Sequence, residues 1–142
     1  MAASAWVIYD DAKERLADGT FDLDGDTFKC ALCATTHTPL SSGHGVYSDI
    51  SANLSSDTDY AAVTCSGVTW DETNGTVTFD CNDISFGTSV TITARYAVLF
   101  DDTTTSDCLL AYSDLDDGGA YVASTNGTFE IQIHANGVFT LA

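Results

Sequence analysis

The 142-residue chain carries 21 Asp and Glu residues against 4 Lys and Arg residues, a formal net charge of -17 at pH 7. A surface this acidic repels phosphate backbones, so the composition disfavours nucleic-acid binding. Hydrophobic residues make up 44% of the chain, which is enough apolar surface to offset the ordering entropy, so we expect one folded domain spanning residues 1–142.

Membrane and export signals are not found in the sequence. No stretch reaches the roughly 20 apolar residues that cross a bilayer. Residues 1–6 also lack the basic and apolar regions of a signal peptide. We therefore expect no membrane partner and a chain that starts in the cytoplasm.

One helix is predicted near the N-terminus, at residues 9–18. Ile8, Ala12 and Leu16, together with Tyr9, fall on one face of this stretch, and Gly19 follows as a residue that ends helices. From Phe28 onward, apolar residues recur with the period of two that is typical of strands. The alternating runs lie at residues 28–33, 76–81, 90–100, 108–113 and 128–135. The second half of the run at 90–100 is apolar on both sides, so it should be covered on both faces.

Turn signals separate these runs. Asn-Gly pairs occur at 74–75, 126–127 and 136–137, and a further turn is predicted at 116–119. Asn-Gly favours a tight hairpin because both central residues of a type I′ turn need positive φ. Seven or eight short strands with such turns predict an all-β fold, a single-domain antiparallel β-sandwich or flattened barrel with one short N-terminal helix.

Alternate aspartates at Asp22, Asp24 and Asp26 suggest a calcium loop. An EF-hand needs glycine at its sixth position and a bidentate acid at its twelfth, and Thr27 and Cys33 stand there. We therefore interpret the stretch as a solvated turn and predict no metal site and no cofactor. The same interpretation covers a second acidic turn, with Asp114, Asp116 and Asp117.

The five cysteines fall into two groups. Cys30 and Cys33 have the spacing of a redox or zinc half-site, but in a strand their side chains point to opposite faces. Cys30, Cys81 and Cys108 lie on apolar faces and are interpreted as buried thiols. Cys33 and Cys65 occupy positions that look more exposed, so they are the candidates for a disulfide, within the chain or across a subunit boundary.

Catalytic motifs are not recognisable. No serine lies in a Gly-x-Ser-x-Gly elbow, and no Cys-His or Ser-His-Asp order is found. We expect the protein not to be an enzyme. A glycan hydrolase is the alternative, and it would need two carboxylates facing each other across a cleft.

Five stretches of the sequence carry a likeness to a known family: residues 12–19, 21–32, 47–53, 94–102 and 127–139. In these stretches and in their order, the chain resembles the small virion structural proteins that tailed phages encode among their head and tail genes. The resemblance implies an all-β accessory subunit of the virion, a decoration or cement protein that binds the outer face of the head lattice and stabilises it. The five cysteines depart from the pattern of these proteins.

The expected partners are the major capsid protein or other virion subunits. The chain itself is expected to be a homo-oligomer or a lattice-bound subunit of a virion assembled in the host cytoplasm. Candidate contact residues lie in the apolar N-terminal segment and in the long loop at 37–60, because such loops are uncommon without a function. They are Trp6, Val7, Ile8, Tyr9, His44 and Tyr47. For residues 6–9, core packing beneath the helix is the alternative.

Two other functions stay open at this stage. One is a neck, collar or tail-associated component of the same particle. The other is a carbohydrate-binding β-sandwich used in host adhesion, in which Trp6, Trp70 and the six tyrosines could stack on sugars.

Overall fold

A computed structural model describes residues 3–142 of the chain. Strands make up 42% and helices 11%, and the paired strands run antiparallel, which confirms the all-β prediction with one short helix. The elements are β1 (Val7–Ile8), α1 (Asp10–Asp18), β2 (Phe28–Cys33), two 3-10 helices (Tyr47–Asp49 and Ser51–Asn53), β3 (Val63–Thr64), β4 (Thr69–Thr73), β5 (Thr76–Asp80), β6 (Ile84–Ala94), β7 (Tyr96–Asp101), β8 (Cys108–Asp114), β9 (Val122–Ile131) and β10 (Phe139–Leu141).

Helix α1 forms where the sequence predicts it. Gly19 adopts the left-handed conformation (φ 82°), and its N–H donates to the Arg15 carbonyl, which ends the helix. Asp10 and Asp11 stand in the first turn and Arg15 in the last, as the helix dipole favours. Ala12 is buried and packs the helix onto the core.

The strands form three sheets. A five-stranded sheet has the order β1-β8-β7-β2-β3, a three-stranded sheet has the order β10-β5-β4, and β6 pairs with β9 in a two-stranded ribbon. At the centre, β2 and β7 pair without a register shift from Phe28↔Asp101 to Cys33↔Tyr96. Residues 97–100 are all buried, so the prediction that this half is covered on both faces is confirmed.

The five-stranded sheet is covered differently on its two faces. On one face of β2, Phe28 meets Phe79 of the three-stranded sheet edge to face, with ring centroids 5.3 Å apart. Cys30 lies on the same face and close to Cys81. Cys33, on the other face, lies near Tyr9, at the start of α1. The three sheets contribute to one hydrophobic core.

Two boundaries differ from the prediction. The run at 90–100 is split at Arg95, where the chain passes from β6 in the ribbon to β7 in the five-stranded sheet. The Arg95 N–H donates to the Cys33 carbonyl (2.9 Å), and the Arg95 carbonyl accepts from Leu115 (2.8 Å), which fixes this corner. The last long strand runs from Val122 to Ile131, so it begins earlier and ends earlier than predicted.

The three Asn-Gly pairs have three different outcomes. Asn74 and Gly75 both have positive φ (54° and 85°) and connect β4 to β5, so this hairpin is confirmed. Asn126 (φ 46°) lies inside β9, where the pairing with β6 is irregular, so the turn predicted there is wrong. Gly137 (φ 82°) ends a turn between β9 and β10, which belong to different sheets. At 116–119 the predicted turn closes with the Gly119 N–H on the Asp116 carbonyl (2.9 Å).

Candidate contact surface

The N-terminal segment lies along the outer edge of β8. Val7 is paired with Tyr112 in the ladder between β1 and β8. The Ser4 N–H donates to the Asp114 carbonyl (2.8 Å), and the Tyr9 N–H donates to the Leu110 carbonyl (3.1 Å). Backbone bonds on both sides of the two-residue strand therefore hold this segment in place.

Part of the long loop continues the same edge. Val46 and Cys108 form an isolated antiparallel bridge, the Leu109 N–H donates to the Gly45 carbonyl (3.0 Å), and the Tyr47 N–H donates to the Asp107 carbonyl (3.0 Å). The structure thus brings together two regions that are distant in sequence, and both lie against β8.

Helix α1 fastens the loop to the N-terminal segment. The Asp10 N–H donates to the Ser41 carbonyl (2.9 Å), and Arg15 Nη1 donates to the Gly45 carbonyl (2.7 Å). Asp49 Oδ2 accepts from the N–H groups of Gly45 (2.8 Å) and Val46 (3.0 Å), and these two bonds hold the pKa of Asp49 below its usual value. We call residues 4–8 and 41–47 together the β8-edge surface.

The predicted contact residues differ in exposure. Val7 is 41% exposed, while Trp6, Ile8, His44 and Tyr47 are half-buried. Trp6 also lines a groove of about 740 Å³ between the N-terminal segment and residues 131–140. All five residues are therefore at least partly accessible to a partner, and Val7 is the most exposed of them.

Tyr9 does not belong to the surface. Its side chain is fully buried, its ring lies 5.1 Å from that of Tyr112, and its hydroxyl has no hydrogen-bond partner among the described residues. Burial raises the pKa of Tyr9 far above its ordinary value. The assignment of Tyr9 to a contact surface is therefore wrong, because its ring packs on Tyr112 in the core at the point where α1 begins.

His44 and Tyr47 support the loop from within. The ring of Tyr47 packs on Phe100 at 4.7 Å. His44 stacks on His37 at 5.6 Å, and His44 Nδ1 accepts from the Leu40 N–H (3.3 Å). Burial first, and then the neighbouring His44, lower the pKa of His37. His44 and Tyr47 therefore make contacts that hold the loop in place, and both are still partly exposed.

Cys33 and Cys65 form no disulfide within the chain. All five cysteines lie in the described chain, and all are free thiols. Cys33 ends β2, whereas the Cys65 N–H donates to the carbonyl of Phe28 at the other end of that strand (2.8 Å). Five residues of strand separate the two positions by roughly 16 Å, well beyond the reach of a disulfide. Both thiols are also buried, so the exposure expected for them is wrong.

The two acidic turns use carboxylates to hold backbone. Asp26 Oδ2 accepts from the Asp22 N–H (2.8 Å), and Asp114 Oδ1 accepts from the Asp116 N–H (3.2 Å). Arg95 Nη2 forms an ion pair with Asp114 Oδ2 (3.0 Å). In residues 3–142, no group of three or more His, Cys, Asp or Glu residues is arranged to hold a metal ion.

A buried carboxyl group lies beside the first acidic turn. Asp101, at the end of β7, is fully buried; its Oδ1 accepts from the Thr103 N–H (2.8 Å). Burial first, and then the neighbouring carboxyl group of Asp26, raise the pKa of Asp101 to about 6. The two carboxyl groups therefore share a proton more readily than either isolated carboxyl would.

Comparisons with known proteins give no match: no protein-family model, no curated protein and no solved structure is similar to this chain. Among residues 3–142, no helix combines the length and the apolar character needed to cross a membrane.

Three residues have surroundings in the structure that the sequence did not predict. His37 stacks inside the loop, Asp101 is buried beside the acidic turn, and Cys81 shares a hydrogen bond with Cys65. A carboxylate that ends an apolar strand, as Asp101 does after Ala97–Phe100, was a signal in the sequence. Neither the histidine stack nor the thiol pair has a local signal, since each depends on how distant segments pair.

Proposed function

We propose that the protein is an accessory structural subunit of a tailed-phage particle that docks on the outer face of the head lattice. The observation that best supports this function is the β8-edge surface, where β1 and the loop at 41–47 are fastened side by side on one sheet edge. The family resemblance indicates the type of particle, and the β8-edge surface is the region through which we propose that the chain docks.

The β8-edge surface combines order with apolar exposure. Val7 is 41% exposed although its backbone is held in a sheet, so burying it against a partner costs little additional ordering. β1 is also the terminal strand of its sheet, and such edges accept further backbone pairing. A lattice contact of the usual size, about 800 Å² per partner, would need this edge and its surroundings.

The charge of the chain also favours docking through the β8-edge surface. With a net charge of -17, the chain favours solvent or a basic partner over most of its surroundings. Lys13 and Arg15 are already paired with Asp10 and Asp11 on α1, so little free positive charge is offered beside β1. Docking through the apolar edge would leave the acidic remainder in water.

The test compares two substitutions at equally exposed apolar positions. Val7→Asp should abolish co-sedimentation of the purified protein with particles stripped of it, because a carboxylate would then be buried in the contact. Leu141→Asp, 43% exposed on β10 of the three-stranded sheet, is the matched control and should bind like the wild type. Thermal unfolding of both variants checks that each is folded.

Three outcomes would contradict docking by this edge: undiminished binding of Val7→Asp, equal losses in both variants, and a wild-type protein that does not bind heads. Saturation at about a dozen copies per particle instead of hundreds would favour a neck or collar ring. Binding of the wild type to host glycans but not to heads would favour the carbohydrate-binding alternative.

A further inference from the structure

Cys65 and Cys81 lie on adjacent segments of backbone. Cys65 follows β3 and Cys81 follows β5, and the β4–β5 hairpin connects them. The residues directly after them are hydrogen-bonded to each other: the Asn82 N–H donates to the Ser66 carbonyl (2.9 Å), and Asn82 Nδ2 donates to Ser66 Oγ (3.2 Å). These two bonds hold the segments that carry Cys65 and Cys81 side by side.

The two segments approach each other closely. Gly67 has φ 61°, and a Cβ at this position would meet the side chain of Asn82 at 2.7 Å. On the other side, the bond from the Cys65 N–H to Phe28 fixes the first segment to β2. The register of the pair is therefore held from both sides.

The two thiols are close enough for their ionisation to be linked through a shared hydrogen bond, and both residues are buried, Cys65 with 8% and Cys81 with 7% exposed. Cys30 lies beneath them, fully buried, and its thiol faces the Ala31 carbonyl at 3.8 Å.

We propose that Cys65 and Cys81 are a disulfide-forming pair, which a small-molecule disulfide oxidises in the folded protein. This inference is independent of the proposed function, because it rests on the pairing of these two segments alone.

The reaction is two successive thiol–disulfide exchanges. The Cys81 thiol loses its proton and attacks one sulfur of the small disulfide, forming a mixed disulfide and releasing one small thiol. The Cys65 thiol then loses its proton and attacks Cys81 Sγ, releasing the second small thiol. Two protein S–H bonds are lost, one protein S–S bond forms, and the small disulfide is reduced to two thiols.

The shared hydrogen bond sets the order of these steps. It lowers the pKa of Cys81, because the acceptor sulfur is stabilised as a thiolate. The same bond, together with burial, raises the pKa of Cys65, which therefore acts second. Cys81 is the nucleophile that meets the oxidant, and Cys65 is the resolving thiol.

Closing this bond should stabilise the fold. It would enclose the β4–β5 hairpin in a covalent loop and restrict the unfolded chain, which for loops of this size raises the unfolding temperature by about 5–10 °C. The backbone contacts stay in place, because the Ser66–Asn82 bonds already hold the two segments together.

The experiment treats the reduced, folded protein with oxidised glutathione, blocks the remaining thiols, and maps disulfides by mass spectrometry of unreduced chymotryptic peptides. We expect a Cys65–Cys81 linked peptide, a fall from five to three titratable thiols, and a higher unfolding temperature that a reductant reverses. Cys108→Ser, which removes another buried thiol, should still form the same link.

Cys65→Ser should instead stop at the mixed disulfide on Cys81. Five titratable thiols in the oxidised wild type, or a link between any other two cysteines, would overturn the proposal. The wild-type peptide map decides the matter even if a serine variant fails to fold.

Discussion

Two strand pairs of the molecule, β2–β7 and β6–β9, have opposite environments. Between β2 and β7, six consecutive residue pairs form without a register shift, and nearly every side chain is buried. Between β6 and β9, the register shifts at three places, and most residues of β9 are at least partly exposed. Alternation thus identifies strands, while a continuous apolar run marks the centre of the fold.

The two strand pairs also differ in how much they contribute to the stability of the fold. The β2–β7 pair lies between the three-stranded sheet and the α1 side, so its side chains carry much of the core. The β6–β9 ribbon has positive-φ residues at Gly87 and Asn126, which accompany its bulges. Substitutions in the two regions should therefore have unequal costs.

The largest effect is expected at the centre. Leu99→Ala removes a fully buried side chain opposite Cys30 and should lower the free energy of unfolding by about 3 kcal/mol, through lost burial and a cavity. Val90→Ala, half-buried in the ribbon, should cost less than about 1 kcal/mol. Urea unfolding measures both, and equal losses would show that the ribbon contributes as much to stability as the centre.

The next effect depends on pH and concerns Asp101, where β7 ends. Because its folded pKa, about 6, is above the unfolded value, the stability linked to this group is present at pH 4 and lost as the pH rises through 6. Asp101→Asn should remove this dependence and gain about 2 kcal/mol over the wild type at pH 8, since a neutral amide puts no charge into the buried position. Unfolding curves from pH 4 to 8 test this, and parallel profiles for the two proteins would contradict the raised pKa of Asp101.

The smallest effect is expected in the ribbon. Gly87 has φ 135°, and a Cβ there would meet Val90 Cγ1 at 2.6 Å, so Gly87→Ala should cost about 1 kcal/mol. Gly127→Ala is the control in the same ribbon, because the nearest atom to its Cβ lies at an ordinary 3.6 Å. Thermal unfolding compares them, and an unchanged Gly87→Ala protein would mean that the bulge relaxes freely.

Local chemistry explains what could be predicted from the sequence. Gly19 after an amphipathic run predicts the end of α1, and the apolar stretch Ala97–Phe100 predicts a strand covered on both faces. These features depend on neighbours within a few residues. Asn74-Gly75 forms its hairpin for the same reason, since β4 and β5 are adjacent in sequence and in space.

The remaining features depend on distant partners. Asn126-Gly127 is the same dipeptide as Asn74-Gly75, yet β6 continues past it as a partner strand and β9 passes through with a bulge. Arg95 has no turn residue beside it, and its corner is fixed by Cys33 and Leu115. The β8-edge surface likewise joins regions far apart in sequence, so its residues could be named but their arrangement could not.

Cryo-electron microscopy of the purified phage particle to which we propose that this chain belongs tests the proposed docking most directly. We predict hundreds of copies on the outer face of the head, each with β1 and the loop at 41–47 against the lattice and the acidic surface in solvent. Absence from the head, or a lattice contact made by the β6–β9 ribbon with the β8-edge surface facing solvent, would contradict it.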